Sequence, residues 1–171
     1  RNKDLTLEQN LAEFAKVWPP IVKFAADHGI KIAIENCPMI FSNDEWPGGK
    51  NLMTTPAIWR RAFSDIDSAN FGLNYDPSHF ILQDMDPLSP LAEFKPKLFH
   101  VHAKDVQINR AALNEVGRFA HPLQWHQPRI PGYGDIDWGK FMGELTRVGY
   151  DGPLCIEVED GTFGNELQGR Q

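Results

Sequence analysis

The chain has 171 residues, 42% of them hydrophobic and 23% charged, with a formal net charge of −6. That length predicts a single domain over residues 1–171 with a sizeable core, and the composition excludes a disordered chain. An acidic balance without a basic run argues against nucleic acid as a partner, because neutralising duplex phosphates needs clustered Lys and Arg.

No apolar run approaches ~20 residues, so no membrane span is expected, and no signal peptide is visible. Both cysteines, Cys37 and Cys155, are expected to be reduced, in a cytoplasmic protein. The chain starts at Arg1 rather than Met, which predicts an N-terminus other than that of an intact gene product.

The first predicted element is a helix. Thr6 and Gln9 have capping-box spacing, and Leu7, Leu11, Phe14 and Ala15 share one face. Pro19 and Pro20 are expected to break or kink it, because proline lacks the N–H and clashes with the preceding turn. A second helical stretch carries Ile21, Phe24 and Ala25 and stops at Gly29, a suitable αL cap. Lys31 to Asn36 then reads as a buried strand.

Thr55-Pro56 opens the next helix, whose apolar face is Ile58, Trp59, Ala62, Phe63 and Ile66. Phe71 to Asp76 is the second strand. Asp86-Pro87 opens a short helix with Leu88, Leu91 and Phe94, and Leu98 to His102 is the third strand. A long loop follows, from Ala103 to about Ile136. Asp137 caps the last helix, with Trp138, Phe141, Leu145 and Val148 facing inward and Gly149 ending it. Leu154 to Val158 is the fourth strand.

Strands alternating with helices imply right-handed βαβ units and a parallel sheet, whose carboxyl ends form the site. Each strand delivers a metal-capable residue there: Glu35, Asp76, His102 and Glu157. Their separations are 76 − 35 = 41, 102 − 76 = 26 and 157 − 102 = 55 residues. A (β/α)₈ barrel of ~250 residues averages ~30 per unit, so each gap fits one unit, the last with an extended loop.

Each residue also has an ordinary reading. Glu35 and Glu157 follow apolar strand residues, where a carboxylate is costly unless it is paired or bound, yet either is compatible with a strand end facing solvent. Asp76 before Pro77 and Ser78 is common turn chemistry. In the metal reading, His79 lies one turn on and faces the same pocket. His100 and His102 share a strand face; His102, nearer the end, is the better ligand, and His100 reads as a core histidine. Glu159 competes with Glu157 but lies further out. Together, four strand ends supply an O, O, N, O donor set that suits a divalent metal ion, Mn²⁺, Mg²⁺, Co²⁺ or Zn²⁺, and ligand type alone does not choose among them; Mn²⁺ is the first expectation. The loop is too long to be idle. Its Lys104, Asp105, Trp125, His126 and Arg129 are candidates to cover the pocket, Arg129 as an anion binder or a surface salt bridge.

The motifs IAIEN (32–36), NYDPSH (74–79), FHVHAKD (99–105), PGYGDIDW (131–138) and GYDGPLCIEVED (149–160), in this order, resemble the xylose isomerase-like TIM-barrel superfamily. The nearest branch is the sugar phosphate isomerase/epimerase proteins. The resemblance implies an α/β fold, the C-terminal part of a (β/α)₈ TIM barrel with parallel strands five to eight and their helices. It implies Glu35, Asp76, His102 and Glu157 as metal ligands, and Glu35 and Glu157 as catalytic proton-transfer groups. His79 then contacts substrate, with Lys104, Asp105, Trp125 and Arg129 as further substrate-binding candidates. The implied activity is isomerisation or epimerisation of a small-molecule sugar or sugar phosphate in carbohydrate metabolism. An inosose dehydratase-like lyase is the competing activity, and a non-catalytic metal-binding module the competing class. An endonuclease IV-type site is disfavoured, because its Asp-x-His is replaced by His126-Gln127-Pro128. Four strands where that fold has eight lead to the expectation of a C-terminal fragment, or of a homo-oligomer that pairs the open edges.

Overall fold

The computed structural model describes residues 1–40 and 49–163. They pack as two compact units, one of Arg1–Tyr75 with Pro96–His100 and one of Asp76–Lys95 with the chain from Val101 onward. No helix among the described residues is long and apolar enough to cross a membrane. Both cysteines are free.

In the first unit, helix α1 (Leu7–Asp27) starts at the predicted capping box. Gln9 N–H donates to Thr6 Oγ1 (3.2 Å), and Thr6 N–H donates to Gln9 Oε1 (2.9 Å). The helix runs through Pro19 and Pro20 as one element, against the expected break. The carbonyls that lose their donors belong to Ala15 and Lys16, and neither residue is buried, so water replaces the missing bonds. The inward face is Leu11, Phe14, Val22 and Ala25, with the Phe14 and Trp18 rings 6.0 and 6.1 Å from Phe71. Phe24, one of the apolar residues of the second predicted stretch, is 67% exposed, while Val22 is buried. Gly29, at φ 69°, ends the helix, and Ile30 N–H donates back to Ala25.

Helix α2 (Pro56–Asp65) is capped by Thr55, whose hydroxyl accepts from Ile58 N–H, and buries Trp59 and Ala62. Strands β1 (Ile32–Glu35) and β2 (Phe71–Tyr75) are parallel, in register from Ile32↔Phe71 to Glu35↔Asn74. Gly72 lets β2 approach the start of β3 (Leu98–Ala103): a Cβ there would lie 2.4 Å from the Lys97 carbonyl oxygen and 2.7 Å from the Phe99 ring.

The second unit holds two short helices, α3 (Ser78–Leu82) and α4 (Pro90–Phe94). The predicted helix at Asp86-Pro87 starts later than expected. Asp86 accepts from Leu88 and Ser89 N–H groups, and Pro90 occupies the first turn, where proline costs nothing. The end of β3 pairs in parallel with β6 (Leu154–Ile156), from Val101↔Leu154 to Ala103↔Ile156. The sheet order is β1-β2-β3-β6. Among the described residues β1 and β6 stand at the edges of this sheet; β1 is half-buried rather than buried, and Ile156 is 70% exposed.

The stretch read as a loop contains structure. Strands β4 (Asp105–Ile108) and β5 (His126–Arg129) form an antiparallel ribbon, and α5 (Arg110–Val116), capped by Asn109, lies between them. Asp105 ties the ribbon to the following turn. Its Oδ1 accepts from the Val106 and Ile136 N–H groups, and its Oδ2 from Gly132 N–H, Gly134 N–H and the Trp138 indole, all between 2.8 and 3.2 Å. Gly134 allows this approach: a Cβ there would sit 2.2 Å from Asp105 Oδ1. Helix α6 (Trp138–Arg147) starts at Asp137, which accepts from Lys140 N–H, and buries Phe141 and Leu145.

Two stability predictions follow from these contacts. Gly72→Ala forces a methyl against a backbone carbonyl that cannot yield, so a loss of about 1–3 kcal/mol is expected in urea denaturation. Asp105→Asn turns an acceptor-only carboxylate into a group with an N–H₂ facing N–H donors. At least two buried donors lose their partner, for a loss of about 2 kcal/mol or more by the same measurement. A midpoint within error of wild type would reject either account.

Candidate metal centre

The second unit gathers three of the four predicted ligands. Asp76 follows β2 directly, in the turn where Ser78 N–H donates to its Oδ1 (2.8 Å). That turn is the short-range chemistry of Asp before Pro-Ser, and the other oxygen, Oδ2, lies 3.2 Å from both His79 Nε2 and Lys104 Nζ. His102 stands near the end of β3. Glu157 follows β6, anchored where its N–H donates to the Ala103 carbonyl (3.1 Å). One donor atom from each of Asp76, His102 and Glu157 lies within 4.8 Å of the others. Asp76 is fully buried; His102 and Glu157 are partly so. In the first unit, Glu35 is the last residue of β1, opposite Asn74. It thus occupies the carboxyl end of its strand, as expected.

The electrostatics of the second unit centre on Lys104, which is 4% exposed. Its Nζ lies 2.9 Å from Glu157 Oε1, 3.2 Å from Asp76 Oδ2 and 3.3 Å from Glu159 Oε2. Burial by itself would depress this ammonium. Asp76, then Glu157 and Glu159, outweigh burial and hold it well above the ordinary lysine range. The Glu157 carboxylate is divided. Oε1 takes Lys104, while Oε2 is buried without a hydrogen bond, 2.6 Å from His102 Nδ1. That separation is of hydrogen-bond length but lacks hydrogen-bond alignment. A buried carboxylate oxygen left without a hydrogen bond beside an imidazole nitrogen fits a site built for a cation.

His79 is buried on α3, with Nε2 3.2 Å from Asp76 Oδ2. His126 Nδ1 is 2.5 Å from the Pro122 carbonyl. Burial first, with His79 and His121 adding to it against the Pro122 contact, holds the His126 imidazole below its ordinary range. Because a carbonyl oxygen only accepts, Nδ1 is the donor in the contact with Pro122.

Three other predicted residues have different occupations. Asp105 is fully buried, with both oxygens committed to the five donors of the turn, so it serves the fold. Trp125 is buried; its indole N–H donates to Ala120 and its ring packs under Arg118. Arg129 lies over Tyr133, donates to the Tyr133 carbonyl and pairs with Asp160 at 3.5 Å. Its guanidinium is turned to the chain's own groups. Asp160, which the sequence reading did not single out, is buried and also accepts from the Ile130 and Thr162 N–H groups. These hydrogen bonds and Arg129 overcome its burial and lower its carboxyl below the usual range. An acid three residues after a strand-end Glu was the available signal. His100 is the satisfied histidine expected, with Nδ1 2.9 Å from Asn74 Oδ1.

Comparison with known proteins matches this architecture. The family model described as xylose isomerase-like TIM barrel matches residues 1–170. An uncharacterised protein of Bacillus subtilis, YfiH, is 32% identical over 158 residues, covering 87% of this chain and 47% of that protein. An inosose dehydratase of Geobacillus thermodenitrificans is 30% identical over 113 residues, covering 65% of this chain and 38% of the enzyme. Among solved structures, a xylose isomerase domain protein from Planctomyces limnophilus superposes with a TM-score of 0.63 at 26% identity, over 86% of this chain and 46% of that one. The chain spans about half the length, or less, of the relatives it matches. With its parallel α/β sheet forming part of such a barrel, this chain belongs to the xylose isomerase-like TIM barrel family.

Proposed function

We propose that Glu35, Asp76, His102 and Glu157 hold one divalent cation, in an isomerase or epimerase acting on a sugar or sugar phosphate. The observation that carries this reading is Glu157 Oε2, a buried carboxylate oxygen that makes no hydrogen bond and lies 2.6 Å from His102 Nδ1. A divalent ion there would take this oxygen as a donor. Three carboxylates and one imidazole suit Mn²⁺, Mg²⁺, Co²⁺ and Zn²⁺ alike, and Mn²⁺ is the ion we propose first. When bound, the cation supplies Lewis-acid polarisation of a ketose carbonyl and the adjacent hydroxyl, which acidifies the neighbouring C–H.

The chain's own residues do the rest. One of Glu35 and Glu157 removes that proton to give an enediolate, and the other returns a proton. Return to the opposite face epimerises; return to the adjacent carbon isomerises. His79, beside Asp76, orients the substrate hydroxyls. The second reading is dehydration, favoured by the 30% identity to an inosose dehydratase, since the same abstraction opens a β-elimination of water. Product mass separates the two, because the lyase product is lighter by one water.

If the cation belongs to the native state alone, adding Mn²⁺ at about 100 times its Kd should raise unfolding stability by about 2.7 kcal/mol. Glu157→Ala should lose that increment. A urea midpoint that ignores Mn²⁺, Mg²⁺, Co²⁺ and Zn²⁺ alike would remove the metal centre. On a ketose panel in deuterium oxide, the loaded protein should place solvent deuterium in the sugar. Glu35→Gln should cut that exchange about 10²–10⁴-fold. Full turnover by Glu35→Gln with metal still bound would end the proton-transfer role of Glu35.

A further inference from the structure

The buried lysine stands apart from the four proposed ligands, yet it contacts two of them. An ammonium offers three donors and no acceptor, and Lys104 finds three carboxylates, on Asp76, Glu157 and Glu159. Its shortest contact goes to Glu157 Oε1, the oxygen not facing His102. Glu157 is on a side chain 27% exposed, so without that contact it has room to swing outward or to present both oxygens. Glu159 is 54% exposed and ties Lys104 from the solvent side.

Building on the metal-centre reading, we infer that Lys104 is a positioning residue: it takes one oxygen of Glu157 and thereby fixes Glu157 as a one-oxygen ligand through Oε2. The competing account makes Lys104 a simple counter-charge. The two accounts differ in sign. A counter-charge repels a divalent cation, so neutralising it tightens metal binding. A positioning group keeps a ligand in place, and losing such an outer partner typically weakens metal binding 10–100-fold.

The test is a competition titration of Mn²⁺ against a fluorescent chelator, on the full chain and its variants, with circular dichroism to confirm folding. Lys104→Met should bind Mn²⁺ about 10–100-fold more weakly than wild type. Lys104→Gln, which keeps a donor for Oε1 without the charge, should fall between the two. With Co²⁺ as the probe, Lys104→Met should also change the visible d–d spectrum, because a released Glu157 chelates through both oxygens and alters the coordination number. Equal or tighter Mn²⁺ binding by either variant would overturn the role of Lys104. If Lys104→Met does not fold, Lys104→Gln decides by the same sign. Wild-type protein that takes up neither Mn²⁺ nor Co²⁺ would instead sink the metal centre itself, so the two failures are distinct.

Discussion

A charge that leaves water must find a counter-charge, and the second unit is arranged around that constraint. Asp76 is fully buried and Lys104 nearly so, and each is tolerable there because of the other. An unpaired buried ion costs several kcal/mol, and removing one partner of a buried pair costs about 3–5 kcal/mol. Glu157 and Glu159 complete the pairing from the segment that follows β6. The parallel pairing of β3 with β6 brings these groups together, since both strands end at the same level. The site is therefore a consequence of sheet direction before it is a consequence of any loop.

A second buried carboxylate is satisfied in a different currency. Asp105 takes five N–H donors and no cation. The adjacent residues Lys104 and Asp105 thus divide the labour. The lysine faces the acids at the strand ends, and the aspartate fastens the Pro131–Gly134 turn to the start of the ribbon. Gly134 makes the fastening sterically feasible, because any side chain there would meet the carboxylate it has to approach.

Much of the framework was legible in local chemistry. Thr6 with Gln9, Thr55 with Pro56, Asp137 and Gly29 fixed helix ends where the caps demanded them. The departures have a common cause. Pro19 and Pro20 stay within α1 because the orphaned carbonyls reach water, and exposure is a property of packing. Phe24 lies outside because α1 turns Val22 and Ala25 inward. The polar His-Gln-Pro-Arg of β5 carries no strand signal of its own and becomes a strand by pairing with β4.

Sequence alone determined the alternation of strands and helices, the family, and the placing of Glu35, Asp76, His102 and Glu157 at strand ends, because each follows from periodicity and short-range motifs. Tertiary structure decided which polar residues are committed elsewhere. Asp105, Trp125 and Arg129 read as pocket residues in the chain, and their partners lie up to 33 residues away in sequence. It also decided that Lys104, two residues after His102, reaches across to Glu157, 53 residues on. Hydrogen-bond saturation and ion pairing at such separations depend on which backbone segments meet, and no local pattern encodes that.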